Sequence, residues 1–239
     1  MNSYKRDYKR LYLLQDKFLG WWKTLELPFY LTGGTALGRF YLNHRFSEDL
    51  DFFMNSAPGY SSAIAEIRKK ITSRFTVDLQ QSLFSDDYTR LFISDDNIRL
   101  KLDFVNDVAY YAGTPAPFVY GKIDRPINIL SNKLTTIVSR DEPKDIFDII
   151  HISLNFSFSW YDVFNHAKEK SVVNEIDIGQ RLHSFPAALL QNVDWLIRPV
   201  DSDETTAVLR RIADDFLLGR QNSLGQNKLP IESALPFNL

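Results

Sequence analysis

The chain has 239 residues, 44% of them hydrophobic, and 28 Lys and Arg against 30 Asp and Glu for a net charge of −2. That content supports a substantial core and argues against indiscriminate capture of nucleic acid, which needs a basic surface. The absence of cysteine excludes disulfides, thiolate zinc sites and a cysteine nucleophile, and His44, His151, His166 and His183 lack zinc-binding spacing, so any metal is expected on oxygen ligands.

Helical spacing of Leu11, Leu14, Phe18, Trp21, Trp22 and Leu25 predicts a first helix over residues 4–24. Pro28 ends it, Phe29-Tyr30-Leu31 reads as a short strand, and Gly33-Gly34 turns into a helix carrying Ala36, Leu37, Phe40 and Tyr41. A polar link over 43–48 leads to a strand over 50–54, then a helix over 61–74 with Ile64, Ile67 and Ile71 inward. Strands are expected over 76–83, 89–94 and 98–105, the last two joined by an Asp95-Asp96-Asn97 hairpin turn. Strand signals fade over 111–126, which holds Gly113, Pro115, Pro117, Gly121 and Pro126 and is expected to connect two domains. Ser131 is expected to cap a helix over 133–140, Pro143 to open one through His151, and further helices to cover 160–170, 178–190 and 204–218 before a loosely ordered tail after Gln221. The fold class is α+β: a mixed-sheet domain over residues 1–126, then a helical domain over 127–239.

Lys5-Arg6 with Lys9-Arg10, Arg68-Lys69-Lys70 with Arg74, and Arg210-Arg211 fall on amphipathic helices and read as solvated faces. No apolar run is long enough to cross a bilayer, and the polar start Met1-Asn2-Ser3-Tyr4 lacks the hydrophobic stretch of a secretory signal, so a cytoplasmic protein with no membrane partner is expected.

A period of two puts Asp49 and Asp51 on one face of their strand, with Leu50 and Phe52 on the other. Carboxylates side by side repel and raise each other's pKa, so Mg²⁺ or Mn²⁺ is the expected partner. Asp103, on one face with Lys101, is expected to project beside the pair and complete a three-carboxylate cluster, with Asp107 as a competitor. Gly33-Gly34-Thr35 offers backbone N–H groups and a hydroxyl, which a nucleoside triphosphate needs. Arg45 is expected to contact phosphate or to pair with Asp49, and His44 to line the site. Lys133, expected in a first helical turn where the dipole disfavours a cation, reads as a triphosphate contact. Asp145 and Asp148, at i and i+3 near Arg140 and Lys144, read as local ion pairs. The conjunction of glycine turn and carboxylates points to metal-dependent nucleotidyl transfer from a triphosphate. A glycosyltransferase would explain Asp49 and Asp51 but neither the glycine turn nor Asp103, and a non-catalytic partner-binding protein has no use for two repelling carboxylates.

The runs Gly33-Gly34-Thr35-Ala36-Leu37 and His44-Arg45-Phe46-Ser47-Glu48-Asp49-Leu50-Asp51-Phe52-Phe53 resemble the AbiEii/AbiGii toxin family of nucleotidyltransferases. So do Lys101-Leu102-Asp103-Phe104, Leu130-Ser131 to Lys133, Arg140 and Lys144-Asp145-Ile146-Phe147-Asp148, which extend the resemblance over about residues 31–150. It implies a polymerase-β-like nucleotidyltransferase domain followed by helices, in the toxin of a bacterial toxin–antitoxin or abortive-infection system. The implied partners are a nucleoside triphosphate, an RNA or tRNA acceptor and a cognate antitoxin; a small molecule or protein is the alternative acceptor. By position the resemblance makes Asp49 and Asp51 metal ligands, Asp103 the third carboxylate, Gly34 and Thr35 the triphosphate turn, Lys133 a nucleotide contact and Asp145 an active-site acid. Lys144 stands where the family usually has Arg, and a lysine cannot reproduce a bidentate guanidinium contact.

Overall fold

The computed structural model describes residues 7–140 and 142–237; the Lys5-Arg6 pair and the expected helix start at residue 4 lie outside them. Helix α1 (Tyr8–Trp22) is capped by Asp7, whose carboxylate accepts from Arg10 N. Strand β1 (Tyr30–Thr32) runs into α2 (Gly33–Leu37), which widens into a π turn through Leu42. Then come β2 (Leu50–Asn55) and α3 (Tyr60–Ile71). In place of one strand over 76–83 there are two, β3 (Thr76–Val77) and β4 (Leu83–Phe84). Asp78 divides them, its carboxylate accepting from Gln80 N and Gln81 N at 3.2 Å in a side-chain-stabilised turn. The hairpin β5 (Tyr88–Asp95) and β6 (Ile98–Asp107) turns with Asp96 at φ +50°.

The glycine- and proline-rich stretch also holds strands, β7 (Ala116–Phe118) and β8 (Gly121–Ile123), and β8 pairs with β1. Three residues each is too short for periodicity to register. Afterwards come α4 (Pro126–Thr136), α5 (Pro143–Asn155), β9 (Phe156–Ser157), α6 (Trp160–Lys170), α7 (Glu175–Ser184), α8 (Ser202–Leu217) and β10 (Leu229–Pro230). Helix α4 begins seven residues before the expected start, because Pro126 at its first turn opens it. Ser131 is therefore not a cap but an interior residue whose hydroxyl donates to Ile127 O at 3.0 Å. The expected helix over 178–190 starts at Glu175, stops at Ser184 and resumes as a 3-10 turn over Ala187–Leu190.

The sheet order is β3-β5-β6-β2-β1-β8-β7, with β4 also on β5. The β2–β6 and β1–β8 pairs are parallel and the others antiparallel. One row of register partners crosses its centre: Thr32 beside Asp51, Asp51 beside Asp103, and Asp103 beside Arg90. Asp103, not Asp107, is thus the residue next to Asp51. Alternation sends Leu50, Phe52, Leu102 and Phe104 to the opposite face, where all are fully buried. There Phe52 and Phe104 stack at 5.4 Å and Trp22 of α1 lies 4.3 Å from Phe52. Ile64, Ile67 and Ile71 of α3 complete that layer.

The segment after Gln221 is docked rather than loose. Asn222 Nδ2 donates to Ser153 O and Phe156 O, β10 pairs with β9, and Ile231 is fully buried. Arg125 Nη1 donates to Ala234 O at 3.0 Å and Phe237 N to Phe40 O at 2.7 Å, so this segment touches the start of α4 and the π turn. Among the described residues no helix is long and apolar enough to cross a membrane.

Truncating Phe104, at the centre of the aromatic layer, to Ala is expected to cost about 3–5 kcal/mol. Leu83→Ala, at a half-exposed position, should stay within about 0.5 kcal/mol. Urea unfolding of the two variants measures both.

Candidate active site

The polar face of the central row opens into a cleft of 560 Å³, bounded by the glycine turn, the carboxylate strands and one face of α4. Gly33 adopts φ +69°, and a Cβ there would collide with Asp51 Oδ2. A Cβ on Gly34 would collide with Arg45 Nη2. Glycine is therefore required at both positions so that a carboxylate and a guanidinium can lie against the turn. Thr35 is wholly buried and its hydroxyl donates to Asp49 O, so it ties the turn to the carboxylate strand instead of facing a phosphate.

Asp49 and Asp51 both border the cleft, as does Asp103, yet the three carboxylates do not converge. Among the described residues no three acidic or histidine groups enclose a point where a metal would sit. The reason is cationic: Lys101 Nζ lies 2.7 Å from Asp49 Oδ2 and 3.4 Å from Asp103 Oδ2. Arg90 grips Asp103 with both oxygens, Nε to Oδ1 at 2.8 Å and Nη2 to Oδ2 at 2.9 Å, and Tyr88 OH adds a third donor at 3.1 Å. Burial raises the Asp103 pKa, but Arg90 and Lys101 outweigh it and hold the group below the ordinary carboxylate value. Among the described residues Asp51 has no such partner. Burial, followed by the charges of Asp49 and Asp103, pushes it up to about 7. A carboxyl so placed gains most from a cation, and the oxygen donors of Asp49 and Asp51 suit a hard divalent ion.

Behind the turn stands a second charged cluster around Asp148, which is fully buried on α5. Arg45 Nε and Nη2 meet its two oxygens at 2.7 and 2.8 Å, Lys133 Nζ approaches at 2.7 Å, and His44 Nε2 at 2.8 Å. Burial would raise the Asp148 pKa; Arg45 and Lys133 outweigh it and hold the group well below the usual range. Arg45 thus pairs with neither Asp49 nor an open anion site, although it borders the cleft. His44 does not line the cleft. Burial keeps its ring neutral at physiological pH, so Nε2–H donates to Asp148.

Lys133 sits in the last turn of α4, where the helix dipole welcomes a cation, so the expected electrostatic anomaly is absent. Its ammonium is held by Asp145 Oδ1 at 2.5 Å as well as by Asp148. Asp145 is also gripped by Arg140, Nε and Nη2 each at 2.8 Å. The pair at i and i+3 is therefore a buried junction between α4 and α5 rather than a surface ion pair. Lys144 reaches Glu48 Oε1 at 3.3 Å.

Tyr88, Arg90 and Lys101 also border the cleft, although no sequence motif singles them out as site residues. The signal was present for Lys101, two residues before Asp103 on the same strand face; Arg90 needs the β5–β6 register. Asp124 is a further buried acid that no sequence motif announces. It is fully buried at the end of β8, accepts from Thr32 Oγ1 at 2.6 Å and Asn128 Nδ2 at 2.8 Å, and is pushed by burial up to about 6.

A sequence model described as nucleotidyl transferase AbiEii toxin, type IV toxin–antitoxin system, matches residues 20–166. No curated protein sequence matches significantly. Among solved structures the chain is similar to JHP933 from Helicobacter pylori, with 21% identity over 87% of this chain and 92% of that one, at a TM-score of 0.56. It is likewise similar to the nucleotidyltransferase toxin MenT4 from Mycobacterium tuberculosis, with 15% identity over 91% and 86% of the two chains, at a TM-score of 0.58. At these identities the structural likeness speaks for the fold alone.

Asp148→Asn is expected to cost about 3–5 kcal/mol, since it strands the buried charges of Arg45 and Lys133; denaturant titration at pH 7 measures it. For Asp51 the linkage sign is set by a raised pKa: the folded chain holds a proton that the unfolded chain has released. Its contribution is fully present below pH 3.8 and is lost as pH rises to about 7. In metal-free buffer the wild type should therefore lose stability across that window at up to about 1.4 kcal/mol per pH unit from this group. Asp51→Asn should lack that component and keep the smaller one from Asp124. Parallel thermal melts from pH 4 to 8 give the comparison.

Proposed function

The chain belongs to the AbiEii nucleotidyltransferase toxin family of type IV toxin–antitoxin systems, and on that premise we propose that it transfers a nucleoside monophosphate from a triphosphate to a hydroxyl of RNA, with tRNA as the favoured acceptor and Mg²⁺ as cofactor. The observation that carries this reading is the central row, in which Asp51 and Asp103 stand side by side on parallel strands, with Asp49 on the same face and the Gly33-Gly34 turn against Asp51. Asp49 and Asp51 would hold the ion, with Asp103 as the third carboxylate. A divalent cation there would neutralise triphosphate oxygens and relieve the repulsion that raises Asp51.

The acceptor oxygen attacks the α-phosphorus, an O–P bond forms as the α–β bridging bond breaks, and pyrophosphate leaves. Asp103, kept ionised by Arg90 and Lys101, keeps a fixed negative charge beside Asp51 that would help to hold the cation. The Gly33-Gly34 turn offers backbone donors to the triphosphate. Lys133 and Arg140, on the α4 side of the cleft, supply positive charge near the leaving group, and Asp145 positions both. Residues 1–126 would form the catalytic module and 127–239 a helical module that closes the cleft and engages the acceptor and a cognate antitoxin. The net charge of −2 fits an acceptor recognised locally rather than by broad electrostatic capture.

Incubation with each labelled triphosphate, Mg²⁺ and total RNA should label an RNA and release pyrophosphate; Asp51→Ala should reduce transfer by about 100-fold or more, and chelation should abolish it until Mg²⁺ or Mn²⁺ returns. Label found only in a protein or small molecule would redirect the acceptor, and full activity in Asp51→Ala would overturn the assignment of the row.

A further inference from the structure

Opposite the carboxylate row, one side chain of α4 is held by a cation that does not itself border the cleft. Asn132 borders the cleft, and its Oδ1 accepts from Lys170 Nζ of α6 at 2.6 Å. The same ammonium donates to Asn128 Oδ1 at 2.5 Å. An ammonium has donors only, so both amide oxygens must face it and the NH₂ group of Asn132 is turned the other way. Among the described residues that NH₂ group has no hydrogen-bond partner in the protein. The neighbouring hydroxyl protons on this helix are already used, Thr135 on Asn132 O at 2.8 Å and Thr136 on Lys133 O at 3.0 Å.

The orientation is fixed from behind. Asn128 donates to Asp124 Oδ2, Asp124 accepts from Thr32, and Thr32 immediately precedes the Gly33 turn. Asn128 Oδ1 also accepts from Ala112 N at 2.8 Å. A continuous set of hydrogen bonds therefore sets the distance between the donor on Asn132 and the backbone that faces the triphosphate. Ile129, three residues before Asn132, is buried and packs the same helix face where it borders the cleft.

We propose that Asn132 is a specificity-determining residue of the nucleotide site: its Nδ2 donates to an acceptor oxygen of the nucleoside, either the ribose 2′-hydroxyl or a base carbonyl, and Lys170 is the positioning residue that orients the amide. This rests on the nucleotidyltransferase reading above and deepens it.

The test measures kcat/KM for wild type, Asn132→Asp and Lys170→Met with two substrate comparisons, a ribonucleotide against its 2′-deoxy form and a pyrimidine against a purine triphosphate. Asn132→Asp keeps an oxygen for Lys170 and deletes the donor. Both variants should compress the same comparison by about tenfold or more, with KM for the acceptor unchanged. Compression of the ribose comparison identifies the sugar hydroxyl, and compression of the base comparison identifies the carbonyl. Unchanged selectivity in Asn132→Asp alongside continued transfer overturns the inference, as does a change confined to the acceptor KM. Should the wild type transfer nothing, the reading of the reaction fails on its own account. Calorimetric binding of the same four triphosphates then decides the inference: wild type binding selectively and Asn132→Asp without selectivity supports it, and any other pattern sinks it.

Discussion

The arrangement depends on a single buried carboxylate. Asp148 has no solvent exposure, and it is tolerated because Arg45, Lys133 and His44 surround it with charge-assisted donors from two other segments. The geometry is one-sided: Arg45 and His44 come from the link between the glycine turn and Asp49, while Lys133 comes from α4. Satisfying Asp148 therefore draws the link and the helix onto α5 together, and the cleft is the space left in front of them. Arg45 serves twice, since its outer nitrogen lies where a side chain on Gly34 would be. The glycine pair and the ion cluster are one constraint seen from two sides.

In front of that cluster the charges are arranged differently. Asp103 is satisfied by Arg90, Tyr88 and Lys101, Asp49 by Lys101, and Asp51, among the described residues, by nothing comparable. The sheet thus carries one carboxyl, Asp51, whose ionisation is incompletely stabilised, beside another, Asp103, that is held ionised. Structural ion pairs can also shift pKa values, but they are mutual, as around Asp148. The asymmetry at Asp51 is what sets this face apart from ordinary salt bridging.

Much of this was legible in the sequence, and the reasons are specific. Alternation around Asp49, Asp51 and Asp103 identified the sheet face because a period of two survives any uncertainty about strand ends. Arg45, Asp145 and Asp148 were legible as charged residues but not as partners, since Arg45 and Asp148 are 103 residues apart and only tertiary packing joins them. Lys133 went astray for a local reason: Ser131 looked like a cap, whereas Pro126 already had the geometry of a first turn. Thr35 reads from sequence as a phosphate contact because nothing local announces its burial, and Arg90 is silent because nothing near it announces a partner. Strands of two or three residues, such as β3, β4, β7 and β8, are too brief for any periodic signal.

The docking of residues 222–237 bears on how the cleft keeps its shape. Phe237 bonds to the π turn after the glycine pair, and the carbonyl of Ala234 holds Arg125 just before α4. Both walls of the cleft are thus braced by one segment, no residue of which borders the cleft. The segment is therefore a clasp: it acts on the site only through the frame that it fastens, and a cut within it would loosen both walls while every residue of the cleft stayed in the chain.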